Sequence, residues 1–61
     1  MSEYKEFDIS TAVAYFDAAY RVHSGDKVFH EGTVSGPFDS QEDARRTAES
    51  AARGWIDLYA R

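Results

Sequence analysis

The chain of 61 residues has no cysteine. That removes disulfides and thiolate metal sites, two of the staples on which very small domains rely. Its only histidines, His23 and His30, are too few for a closed zinc site without carboxylate help. No apolar run approaches the roughly 18 residues of a membrane span. Proline occurs once, at Pro37, and the four glycines (Gly25, Gly32, Gly36 and Gly54) are scattered, so no phosphate-cradling glycine loop exists. No Gly-x-Ser-x-Gly nucleophile turn occurs either. Net positive charge is also lacking: the balance is −4, against the basic footprint of a nucleic-acid binder. The stretch Met1-Ser2-Glu3-Tyr4-Lys5 does not have the basic-then-apolar layout of a secretory signal, so the expected compartment is the cytoplasm.

What remains is a folding composition, 43% hydrophobic and 15% aromatic. One domain over residues 1–61 is expected. A chain of this size buries only about 60% of the surface that its unfolded form exposes. One Trp, four Tyr and four Phe are many for a single small core. Oligomerisation is then the staple left open.

The end of the chain predicts a helix over residues 40–59. Ala44, Ala48, Ala51, Trp55 and Leu58 recur at steps of four and three, with Ala52, Ile56 and Tyr59 widening the stripe. Asp39 or Ser40 can cap it, with Glu42 three residues after Asp39 as in a capping box. Arg45, Glu49, Arg53, Asp57 and Arg61 form a ladder of alternating sign, worth a few tenths of a kcal/mol per pair. The stripe is small at its start and bulky at its end. Gly54 is out of place, at roughly 1 kcal/mol relative to Ala; it marks a tolerated defect, a close contact with a strand, or a contact with a second chain.

Upstream, Ser24-Gly25-Asp26-Lys27 predicts a hairpin with glycine at the first central position of a type II′ turn. Its strands run from Ala18 to His23 and from Lys27 to Val34, with Gly32 weakening the second strand or marking a bulge. A regular register would put His23 and His30 on one face. Phe7, Ile9, Thr11 and Val13 alternate with polar residues as a half-buried strand. Ile9, Val13, Phe16 and Tyr20 also fit a helical stripe capped by Ser10. The fold class is therefore α+β: a three-stranded antiparallel sheet, β-β-β-α, packed by one C-terminal helix, with α-β-β-α as the alternative.

From Tyr20 to Asp57 the chain reads strand, glycine turn, strand, Gly36-Pro37-Phe38-Asp39-Ser40, then an Ala-rich helix ending Ala52-Arg53-Gly54-Trp55-Ile56-Asp57. This resembles small uncharacterised bacterial proteins with a β-hairpin, a Gly-x-Phe turn and a helix ending in a Trp-Ile-Asp-like segment. The resemblance covers about two thirds of the chain and implies a sheet-plus-helix fold with no known activity. The element order is also similar to the double-stranded-RNA-binding fold and to three-stranded DNA-binding domains of integrases, a likeness of topology that carries no function.

Four functional readings follow. Catalysis lacks a motif, and so small a domain has little room for a substrate pocket, so no enzyme, cofactor or small-molecule substrate is expected. Nucleic-acid binding would use Tyr15, Phe16, Tyr20 and Phe29 on an open sheet, with Arg45, Arg46 and Arg53 on the helix, although Glu42, Asp43 and Glu49 lie among those arginines. A nucleic-acid-mimicking bacterial or phage protein would use the acidic first third, with Glu3, Glu6, Asp8 and Asp17. The reading with the fewest special assumptions is a non-catalytic, self-associating protein-interaction module, a homodimer formed through sheet edges or through the Trp55/Tyr59 end of the helix. The residues expected in core or interface are Trp55, Ile56, Tyr59, Phe7, Ile9, Phe29 and Phe38.

Overall fold

A computed structural model describes residues 2–14 and 16–60. The chain forms strands β1 (Ser2–Tyr4), β2 (Phe7–Val13), β3 (Asp17–Ser24) and β4 (Lys27–Ser35), then helix α1 (Gln41–Tyr59). The strands make one antiparallel sheet in the order β1-β2-β3-β4. The α+β class is as expected, but the sheet has four strands rather than three. The α-β-β-α alternative is overturned, because Ser10 to Tyr20 is built from β2, a tight connection and β3.

The additional strand is β1, and its turn explains why it is hard to read. Lys5 and Glu6 both have positive φ, 50° and 71°. A two-residue hairpin of this hand normally carries Asn-Gly or Asp-Gly, and Lys-Glu gives no such signal. Side chains secure the turn from outside. Asp57 Oδ1, near the end of α1, accepts from Tyr4 Oη at 2.9 Å and from Lys5 Nζ at 2.8 Å. The hydrogen bond that Lys5 donates to Asp57, aided by the carboxylate's charge, holds the Lys5 ammonium above its ordinary value of 10.5.

The central hairpin follows the glycine signal. Ser24 pairs with Lys27, and Gly25 takes φ 58° while Asp26 does not cross into positive φ, as a type II′ turn requires. The register then shifts: His23 faces Val28 but Val22 faces His30. Phe29 is the additional residue of a bulge, so Phe29 and His30 both turn to the helix side. The expected bulge at Gly32 is thus found three residues earlier. Gly32 has another role, since a Cβ there would stand 2.4 Å from the Tyr20 hydroxyl. The Tyr20 ring lies across the glycine, covering backbone that no side chain shields.

Ser40 caps α1, its Oγ accepting from Asp43 N at 3.0 Å. Asp43 rather than Glu42 therefore holds the third helical position. Glu42–Arg46 and Glu49–Arg53 form i,i+4 pairs; Asp57 also pairs with Lys5, and Arg61 lies outside the described residues. The buried row is Ala44, Ala48, Ala52 and Ile56. Against it stand Ile9, Val22 and Ala18, all at most 1% exposed. Leu58, expected on the inner stripe, is 65% exposed. A row stepping by four winds around the helix away from a row stepping by four and three. By the last turn the two have separated, and Leu58 is about 200° around from Ile56. Gly54 faces open space, with no atom within 4 Å of a Cβ built on it, so close contact with a strand is not its reason.

Ile56 and Leu58 therefore separate core from surface within one turn. Ile56→Ala is expected to lower unfolding stability by about 2–4 kcal/mol through lost burial and a residual cavity. Leu58→Ala is expected to stay within about 0.5 kcal/mol. Urea midpoints of the two variants check this, and equal midpoints would contradict the seating of the helix.

Candidate functional site

The expected core and interface residues fall into three environments. Ile9 and Ile56 are fully buried in one cluster with Val22 and Ala52. Phe38 is half-buried at the other end of the helix, against Ala18, Ala44 and Ala48. Phe7, Phe29, Trp55 and Tyr59 meet beyond Ile56 in an aromatic end. Phe7 stands edge-on to Phe29 at 5.2 Å, to Tyr59 at 5.8 Å and to Trp55 at 6.5 Å. Trp55 is stacked between His30 at 4.8 Å and Tyr59 at 4.9 Å. Tyr20 Oη and His30 Nε2, 3.3 Å apart, extend the network toward the middle of the sheet. Tyr59 remains 56% exposed on the outer side of this stack.

His30 belongs to this end only because of the bulge. The expected pairing of His23 and His30 on one face is therefore corrected: His23 lies on the opposite, uncovered face. There its Nε2 shares a hydrogen bond with Ser10 Oγ at 2.8 Å, while its Nδ1 is 4.0 Å from Asp8 Oδ2. This carboxylate–imidazole–hydroxyl line is not legible in the residue order, since it needs the β2–β3 register. The Nδ1–Oδ2 separation is beyond hydrogen-bond length. Acyl transfer also needs donors aimed at a developing oxyanion, and the N–H groups beside Ser10 lie in the plane of the sheet, at right angles to its side chain. The arrangement ties β2 to β3 across the uncovered face. Beside it, Arg21 Nε donates to Glu31 Oε1 at 2.6 Å, both side chains more than half exposed. Among the described residues no cluster of His, Asp and Glu is arranged to hold a metal ion.

The uncovered face also bears on base stacking. Tyr20 and Phe29 both face the helix, and Phe16 sits at the β2–β3 connection rather than on the sheet. Tyr15 lies outside the described residues. The face carries Ser10, Ala12, Ala19, Arg21, Glu31 and Thr33 around an open depression of about 540 Å³. Its charges are paired, and among the described residues it offers no aromatic platform.

A third surface comes from the position of α1, which lies over β2 and β3 and only grazes β4. Beside the helix, Val34 is left half-buried in a groove with Arg46, Thr47, Ser50 and Ala51. β4 is also the last strand of the sheet, so among the described residues its outer edge has no partner strand. The bonding direction along it is fixed by its neighbours. Gly36 N donates to Phe16 O just beyond the Asp17–Ser35 pair. Alternation along an antiparallel ladder then turns His30, Gly32 and Val34 toward β3, and the N–H and C=O of Glu31, Thr33 and Ser35 outward. The opposite side of the sheet offers less, because β1 pairs with Phe7 to Ile9 and leaves only Thr11 and Val13 facing outward beyond it. No helix among the described residues is long and apolar enough to cross a membrane.

The stack around Trp55 is expected to matter for stability although the ring is only half-buried. Trp55→Ala is expected to cost about 2–3 kcal/mol, below the full 3–5 of a buried large ring. Trp55→Phe should recover most of it. A urea midpoint for Trp55→Ala indistinguishable from wild type would remove the stack from the core. Compared with protein-family models, with curated proteins and with solved structures, the chain matches none.

Proposed function

We propose that this chain is a non-catalytic protein-interaction module that associates with itself through the β4 side of its sheet. The observation that carries the reading is the bare outer edge of β4, a strand of nine residues with no proline in it and with a helix that only grazes it. Unpaired edge groups are a template for a further strand. Natural sheets guard such edges with proline, with lysine or with very short strands. Lys27 and the bulge at Phe29 guard only the first third of β4, while Glu31 to Ser35 is regular. The half-buried Val34 and its groove give a second strand apolar surface to cover.

Light scattering behind size-exclusion chromatography, over a hundredfold concentration range, tests this. The expected mass rises with concentration toward twice the 6.9 kDa of the chain. Thr33→Pro provides the control. The N–H of Thr33 points outward, so proline there removes a donor from the free edge and none from the β3–β4 ladder. Thr33→Pro is expected to keep the wild-type circular dichroism spectrum and remain at the monomer mass. A Thr33→Pro chain that dimerises as wild type does would show that β4 is not the contact.

A further inference from the structure

We infer that the second copy adds antiparallel to β4 with a two-fold axis at Thr33, making one continuous eight-stranded sheet with both helices on the same face. This rests on the self-association proposed above and specifies its geometry. The regular, outward-bonding part of β4 contains three residues, Glu31, Thr33 and Ser35. A two-fold at Thr33 pairs Thr33 with Thr33 of the second copy, and Glu31 with Ser35 of the second copy. All three residues are then used on both chains, for about six backbone hydrogen bonds. Moving the axis one residue, to Gly32, pairs Glu31 with Thr33 and brings Ser35 against the bulge at Phe29, where the ladder is interrupted. Moving it to Glu31 sets two carboxylates directly opposite, which is unfavourable.

The side chains suit the register centred on Thr33. The self-facing residue is an uncharged β-branched threonine, and Thr–Thr pairs favour sheets. Glu31 meets a serine hydroxyl and keeps Arg21, whose Nε is 2.6 Å away, on its other side. On the helix side, Val34 stands opposite Gly32 of the second copy. That glycine has no side chain of its own but lies under the Tyr20 ring, so Val34 meets an aromatic surface rather than a clash. The symmetry closes the assembly: each chain uses its one long free edge, and the outer ends of the joined sheet are the short β1 strands, tied down by Asp57.

Charge placement reads the register. Ser35→Lys would face Glu31 of the second copy twice per dimer and is expected to tighten the dissociation constant about threefold to tenfold; Ser35→Glu is expected to loosen it by a similar factor. Thr33→Lys sets like charges across the axis and is expected to loosen it at least threefold. Both positions face solvent in the single chain, so unchanged urea midpoints at low concentration confirm folding. Sedimentation equilibrium at low salt supplies the constants. Opposite shifts for Ser35→Lys and Ser35→Glu support the register. Equal shifts for the two, with Thr33→Pro still monomeric, would overturn the register and leave the edge contact standing. A wild-type chain that stays monomeric throughout overturns both, and leaves β4 to an extended segment of a different protein.

Discussion

The close seat of α1 on β2 and β3 decides the rest of this molecule. Ala44, Ala48 and Ala52 carry no side-chain bulk, so the helix backbone approaches the sheet nearly to contact over Ala18 and Val22. Ile56 then fills the wider gap over Ile9. A single helix seated this way covers the two central strands and only grazes β4. One consequence is an aromatic end, where Phe7, Phe29, His30, Trp55 and Tyr59 close the space beyond Ile56. Another is a bare flank, where β4 keeps its hydrogen-bonding edge and Val34 keeps part of its apolar surface.

The two ends of the core have different chemistry. At the first turns of the helix, alanines meet Ala18, Val34 and Phe38 in a thin layer. At the last turns, edge-to-face and stacked rings replace aliphatic packing, and aromatic pairs add about 0.5–1.5 kcal/mol beyond their buried area. The bulge at Phe29 makes this possible, since a regular β4 would send either Phe29 or His30 to the other face. The Asp57 contacts with Tyr4 and Lys5 then clamp β1 to the same end of the helix. A chain too small for a large core has placed its stabilising contacts at one end and left the β4 side uncovered.

The sequence made some of this legible and hid the rest for identifiable reasons. The helix was readable because its alanines and aromatics recur at helical spacing and Ser40 stands at its start. The central hairpin was readable because Gly25 can take the positive φ its turn requires. β1 was hidden because Lys5 and Glu6 occupy left-handed conformations without the residues that usually announce them. The helix side of His30 was hidden because it depends on a one-residue shift against β3, which alternation within β4 cannot reveal. Leu58 was misplaced because rows stepping by three-and-four and by four look alike over two turns and separate by the fourth. The seven expected core or interface residues are divided among the core at Ile9 and Ile56, the Ala-lined end at Phe38 and the aromatic end. The free edge could not be found by inspecting side chains, because its groups belong to the backbone and strand order decides whether they are paired.

Self-association through the β4 edge makes a direct demand on individual amide groups. Hydrogen exchange followed by NMR at two protein concentrations, a hundredfold apart, measures it. The amides of Gly32 and Val34, bonded to β3 within one chain, should be protected at both concentrations. Those of Glu31, Thr33 and Ser35 should exchange freely in dilute solution and slow markedly in concentrated solution. Free exchange of these three at both concentrations would contradict a β4–β4 contact.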